Sequence, residues 1–151
     1  LCSAIASTSS KELVEKRGHK IDGLESFPII VSDDIENISN TKEMIGILDN
    51  LNLTQDVKRL QNRRKRTGKV ALRGRTSKTG RSVLFVVSNS KKLAKSCSAI
   101  PGIDVCSVSD LSVLNLAPGG TISRLTVFSK KAIKEISQIK SNHLELMVLL
   151  Q

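Results

Sequence analysis

The sequence contains no Trp, no Tyr and only three Phe, at Phe27, Phe85 and Phe128. A core must therefore be assembled from Ile, Leu, Val and Ala, and aromatic platforms for stacking unpaired bases are scarce. The cysteines, Cys2, Cys97 and Cys106, are odd in number and lack metal-ligand spacing. They fit buried thiols in a reducing, intracellular compartment better than a disulfide framework. No apolar run approaches the ~18 residues of a membrane span, and no basic segment precedes a short apolar one as in a secretion signal. Leu1 already stands inside an expected helix with no Met before it, so a cut N-terminus is expected.

Acids are missing where they would matter most. From Val57 to Ile103 there is no Asp or Glu, while 14 of the 24 Lys and Arg fall in that stretch. The remaining ten cations face all 14 acids, so the net charge of +10 divides into a mildly acidic body at −4 and one strongly basic segment. Length and composition, 151 residues with 39% hydrophobic and 25% charged, exclude a disordered chain and fit one globular domain.

Four short runs rich in β-branched residues read as strands: Phe27 to Asp34, Ser82 to Ser88, Ile103 to Val108 and Arg124 to Ser129. Three are near-continuously apolar, the pattern of strands covered on both faces. Helical patterns lie between them. Asn40 is placed to cap a helix beginning at Thr41, with Glu43 at capping-box spacing and Met44, Ile45, Ile47, Leu48 and Leu51 on one face. Ser90 and Ser129 are placed to start two more. Leu1 to His19 reads as one amphipathic helix closed by Gly18. Strands alternating with helices at this spacing require crossover connections, hence a three-layer α/β/α sandwich. The one long stretch without apolar periodicity is Gln61 to Arg81, and such stretches in compact domains are functional or disordered.

Catalytic signals are weak. Gly74 to Ser82, "GRTSKTGRS", resembles a phosphate loop only superficially: five residues separate its glycines, Arg stands where Lys is needed, and a strand follows where a helix should. Only His19 and His143 could act as imidazole bases, no Gly-x-Ser-x-Gly occurs, and neither His neighbours a cysteine. His19, beside Gly18, is expected as a capping or surface residue. Asp33 and Asp34 end the first strand, where α/β enzymes place acids, but without a partner they read as turn and helix-start carboxylates. Leu116 to Gly120, "LAPGG", reads as a tight turn. No metal or cofactor is expected.

The basic stretch carries the stronger signal. Residues 62–81, "NRRKRTGKVALRGRTSKTGR", hold nine Lys or Arg and no carboxylate. Solvated faces usually alternate signs, and like charges this dense repel one another unless another chain neutralises them. Glycines at Gly68, Gly74 and Gly80 break helices and permit close approach. Cations along such a segment suit a ladder of phosphates, with Arg adding bidentate geometry. Nucleic acid is therefore the expected partner, read through backbone and shape more than base identity.

In order along the chain, "LCSAIASTSSKELVEKRGHKI", "FPIIVSDDIENISNTKEMIGILDNL", "RTGKVALRGR", "LFVVSNSKKLAKSCSAIPGIDV" and "VLNLAPGGTISRLTVFSKKAIKEI" resemble the large-subunit ribosomal protein four family, most closely its archaeal and eukaryotic branch. The resemblance covers Leu1 to Ile136. It implies a sandwich with a four-stranded, largely parallel sheet, and a noncatalytic protein that binds large-subunit ribosomal RNA, supports its assembly and meets neighbouring ribosomal proteins in the cytoplasm. No membrane or small-molecule substrate is implied. The family's N-terminal region and exit-tunnel extension are expected to precede Leu1, so no tunnel role attaches to these residues.

The expected organisation is a single α/β domain over 1–140 with an embedded RNA-binding arm at 58–81, then a tail at 141–151. The expected contacts are Lys58, Arg59, Arg63, Arg64, Lys65, Arg66, Lys69, Arg73, Arg75, Lys78 and Arg81, with Arg124 added by the resemblance. Two alternatives remain at this level. One is an α/β enzyme acting on RNA or a nucleotide near Asp33, Asp34 and Asn89. The other is an interaction module using the apolar tail, Leu144 to Leu150.

Overall fold

The computed structural model describes residues 1–21, 23–24, 26–61, 64–78 and 80–138, with the backbone alone for 61 and 64. In chain order the elements are α1 (Cys2–Ser7), α2 (Lys11–Lys16), β1 (Ile29–Val31), a 3-10 turn (Asp33–Asn37), α3 (Thr41–Asn50), α4 (Thr54–Gln61), β2 (Arg64–Lys65), α5 (Lys69–Leu72), β3 (Ser77–Lys78), β4 (Leu84–Val87), α6 (Lys91–Cys97), β5 (Asp104–Ser107), α7 (Val113–Leu116), a second 3-10 turn (Pro118–Gly120), β6 (Thr126–Ser129) and α8 (Lys130–Gln138).

The four apolar runs become one parallel sheet in the order β1-β6-β4-β5, and β2 and β3 form a separate antiparallel pair. β4 is central, and all four of its side chains are buried. Its alternation feeds two cores. Phe85 and Val87 pack with Val127 of β6, Met44 and Leu48 of α3, and Leu93 and Cys97 of α6. Leu84 and Val86 pack on the opposite face with Phe128, Leu116 and Ala132. Burying each such side chain stabilises by about 1.5–3 kcal/mol, which is why an aromatic-poor chain still folds around this sheet. The sandwich is the architecture expected from the sequence. β1 departs in one respect: it is an edge strand, and Ile30 is left exposed.

The N-terminal segment also departs from expectation, because the single helix is broken in two. The hydroxyls of Ser7, Thr8 and Ser9 donate to the carbonyls of Ala4, Ile5 and Ala6 at 2.8, 2.6 and 2.7 Å, offering the backbone an alternative to continued helix. The break lets the halves serve opposite faces, since Ala4 and Ile5 join one core and Val14 the other. Gly18, at φ +92°, closes α2 as expected. The N–H groups of Gly18 and His19 reach the carbonyls of Glu15 and Val14 in a Schellman motif.

Other caps are met in part. Ser129 caps α8, its Oγ accepting from the Ala132 N–H at 3.1 Å. The expected capping box of α3 does not form: Asn40 Nδ2 donates instead to Glu43 Oε1 at 3.4 Å. At the start of α6, Asn89 Oδ1 accepts from the Lys91 N–H, the role expected of Ser90. Cys97 and Cys106 are buried, and burial pushes both thiols up to about 11. Cys2, expected as a buried thiol, is exposed. No helix among the described residues is long and apolar enough to cross a membrane.

Candidate nucleic-acid interface

Within the stretch that lacks apolar periodicity, the described residues form short regular elements. α4 presents Val57 and Leu60 inward and Lys58 to solvent, so the first cations of the expected arm stand on a helix. β2 and β3 pair in the register Arg64↔Lys78 and Lys65↔Ser77, and the Arg66 N–H extends the ladder to the Thr76 carbonyl at 2.9 Å. Between the strands, Gly74 at φ +78° closes the single turn of α5. There the N–H groups of Gly74 and Arg75 reach the carbonyls of Ala71 and Val70. Short strands with no core beneath them keep their side chains in water. Lys65, Lys69, Arg73, Arg75 and Lys78 are exposed, and Arg66 is half-buried. None of these six forms an ion pair among the described residues. Lys65, Arg66, Thr67, Val70 and Lys78 line an open cleft of about 570 Å³.

The root of the hairpin has the opposite character. Asp56 is fully buried. Its carboxylate accepts from His19 Nδ1 at 3.0 Å, the Lys20 N–H at 2.9 Å, Arg59 Nε at 3.0 Å and Ser82 Oγ at 2.5 Å. Burial alone would raise its pKa, but the hydrogen bonds from His19, Ser82 and the Lys20 backbone outweigh that and hold it at about 2. One carboxylate therefore ties α4, which enters the arm, to Ser82, which leaves it.

A second carboxylate works beside it. Arg81 Nη1 donates to both oxygens of Asp104 at 2.7 and 2.6 Å, and Arg124 Nη2 reaches Asp104 at 2.7 Å. Arg124 is only 1% exposed. It also donates from Nε to the Ser82 carbonyl and from its terminal nitrogens to the carbonyls of Val83, Gly102 and Asn115. Burial lowers its pKa, and Asp104 opposes that shift.

The expected contacts thus separate into groups. Six outer cations share the hairpin. Lys58 stands apart on α4, Arg59 and Arg81 are paired at the root, and Arg124 is inside the fold, where its donors are committed to the protein. Arg63 lies outside the described residues, as do the tail at 141–151 and Leu144 to Leu150; for Arg64 the backbone on β2 is what is described.

His19 corrects the sequence expectation of a surface position: it is 6% exposed, because its ring sits between Asp56 and the Leu125 N–H, which donates to Nε2 at 3.4 Å. The root residues Asp56, Asp104 and Arg17 were missed. Their signal was positional, since Asp56 and Asp104 are the acids that bracket the acid-free stretch.

At the carboxyl ends of the main strands, Asp33 and Glu36 are engaged by the fold, while Asp34 is exposed. Asp33 Oδ1 accepts from the Lys131 N–H at 2.7 Å, and Glu36 accepts from the N–H groups of Ser88 and Asn89 and from Ser129 Oγ. No group of three or more metal-ligating side chains occurs among the described residues.

Fold and surface together define an α/β sandwich that carries a carboxylate-free basic hairpin on an ion-paired root. The chain belongs to the Ribosomal protein L4/L1 family, which residues 1–139 match. It is similar to the large ribosomal subunit protein uL4 of Methanococcus aeolicus, with 42% identity over 139 residues, 91% of this chain and 55% of that protein. The protein of that name from Sulfurisphaera tokodaii is 43% identical over 135 residues, 88% of this chain and 50% of its own length. That from Thermoplasma acidophilum is 41% identical over 138 residues, 91% and 54%. The chain spans about half the length of these curated relatives. Their archaeal sources agree with the branch that the sequence resembles.

Proposed function

We propose that the chain is a noncatalytic structural part of the large ribosomal subunit in the cytoplasm, binding large-subunit ribosomal RNA and supporting its assembly beside neighbouring ribosomal proteins. The observation that carries this reading is the hairpin: Lys65, Arg66, Lys69, Arg73, Arg75 and Lys78 project from one short element with no carboxylate partner among the described residues. Phosphates supply the missing counter-charge, and each contact releases condensed counterions. Lys58 and the exposed side of Arg81 extend the surface. Arg124 is left out of the contacting set, because its side chain is buried and already donates to a carboxylate and four carbonyls. The body, a single α/β unit over 1–140, is the scaffold that aims the arm.

The test is binding of the chain to purified large-subunit ribosomal RNA across a salt series, alongside cofractionation with large subunits through a high-salt gradient. Log affinity should fall steeply with log salt, and Arg73→Ala and Arg75→Ala should each cost about 1–3 kcal/mol of binding. The double change Lys11→Ala with Lys16→Ala removes exposed cations of α2 that have Glu12 and Glu15 for sequence neighbours, and it should leave affinity unchanged. Equal losses from this control and from Arg73→Ala combined with Arg75→Ala, in folded proteins at matched salt, would overturn the reading of the arm.

A further inference from the structure

Where the hairpin meets the body, a second cleft of about 630 Å³ opens, with Arg66, Lys78 and Arg81 on the arm side and Arg17, Pro118 and Gly119 on the body side. Its described lining contains four cations and no carboxylate. Arg81 is held by Asp104 yet its side chain remains 57% exposed. Arg17, at the end of α2, is fixed by neutral acceptors: its guanidinium donates to the carbonyls of Pro118 at 3.1 Å, Ile122 at 3.0 Å and Thr121. Carbonyls orient a guanidinium without cancelling its charge. Burial lowers the Arg17 pKa, and the neighbouring charges of Arg124 and Arg59 lower it further.

Around this cleft six cations, Arg17, Arg59, Arg66, Lys78, Arg81 and Arg124, therefore meet two carboxylates, Asp56 and Asp104. An excess of that kind in a partly desolvated concavity focuses a field that attracts anions. On the wall opposite the arm, Gly119 leaves backbone uncovered beside Arg17. Gly119 lies at φ +77° with nothing within 4 Å of where a Cβ would stand, so another chain can approach the Pro-Gly-Gly turn closely.

We propose that this cleft seats the phosphodiester backbone of an RNA strand running between arm and body, with Arg17 as the body-side contact. The proposal rests on the RNA-binding reading above and adds a site separate from the hairpin tip. Preorganisation favours it: Arg17 is already oriented by three carbonyls, so little side-chain entropy remains to be lost on binding. The strand is gripped from two sides, by arm and body cations together.

The test is a titration of the isotopically labelled chain with a short oligouridylate at low salt, followed by NMR of the Gly80 and Gly119 amides and Arg17 Nε, with affinities measured in parallel. These signals should shift and saturate together, and should still shift in Arg75→Ala. Arg17→Gln should weaken binding about 5- to 10-fold and reduce the log–log salt slope by about 0.7, the value for one phosphate of a single strand. Arg17→Lys should recover the slope but only part of the affinity, because the charge returns without the fork. Since Arg17 also holds the Pro118–Ile122 loop, the Gly119 amide shift in the unaltered chain gives a second measure that does not depend on how the variants fold. Shifts confined to Lys65 to Arg75, with Arg17 Nε and Gly119 unmoved and an unchanged slope in Arg17→Gln, would overturn the cleft while leaving RNA binding by the arm intact. No binding of ribosomal RNA or oligouridylate by the chain would overturn both.

Discussion

At the tip of the hairpin Arg73 and Arg75 are exposed and have no ion-pair partner among the described residues, whereas at its root Arg59, Arg81 and Arg124 share the carboxylates of Asp56 and Asp104. The same side chain serves opposite purposes over a few residues. At the root the arginines are paired with carboxylates and hold the chain in place. At the tip it is unbalanced and displayed. Ser82 shows how firmly the root is tied, since its N–H, carbonyl and hydroxyl are engaged by Gly102, Arg124 and Asp56 respectively. An arm with no core of its own is held in position by the network at its base, and its outer cations contribute little to folding.

The strongest way to break the contrast is to remove the buried carboxylate. Asp56→Ala strips His19, Ser82, Arg59 and the Lys20 N–H of their shared acceptor, and should destabilise the domain by about 3–5 kcal/mol in chemical denaturation. Acid should do the same by degrees. The folded pKa of Asp56 lies below its ordinary value of 3.8, at about 2, so its stabilisation is complete above pH ~4 and is lost as pH falls from there through about 2. That part is worth about 2 kcal/mol, and an Asp56→Asn variant should lack it, giving a flatter acid limb.

A smaller effect is expected where the root is packed tightly. A Cβ on Gly102 would stand 2.1 Å from Leu60 Cδ1 and 3.0 Å from the Gly80 carbonyl, at φ +83°. Leu60 can swing aside, but the backbone contact and the left-handed conformation remain, so Gly102→Ala should cost about 1–3 kcal/mol by thermal denaturation. The smallest effect sharpens the comparison from the other side. Arg73→Ala and Arg75→Ala should shift stability by no more than about 0.5 kcal/mol, although both are expected to weaken RNA binding. A loss comparable to that of Asp56→Ala would mean that the tip belongs to the fold.

Much of the body was legible because its signals are local. β-branched runs around Ile29, Phe85, Val105 and Val127 became the four strands, and Gly18, Asn40 and Ser129 marked helix boundaries where the structure has them. The α1–α2 break was not legible, because it depends on one short helical stretch serving both faces of the sheet. The β2–β3 hairpin was hidden because two-residue strands have no apolar alternation to announce them. His19 reads as a boundary residue beside Gly18, yet its ring is buried by Asp56, 37 positions away.

By itself the sequence determined the four strands of the main sheet, the helices that start after Asn40 and at Ser129, the acid-free stretch from Val57 to Ile103 and hence the local excess of positive charge. These follow from composition and spacing along the chain, which folding does not alter. Which cations are displayed and which are paired was decided by tertiary structure alone. Arg73, Arg81 and Arg124 are the same letter, and the difference between a displayed charge and a buried one is whether a carboxylate from elsewhere in the chain arrives within a few ångströms. Asp104 reaches Arg81 and Arg124 across 23 and 20 positions only because parallel pairing through β4 brings β5 and the start of β6 to the same end of the sheet.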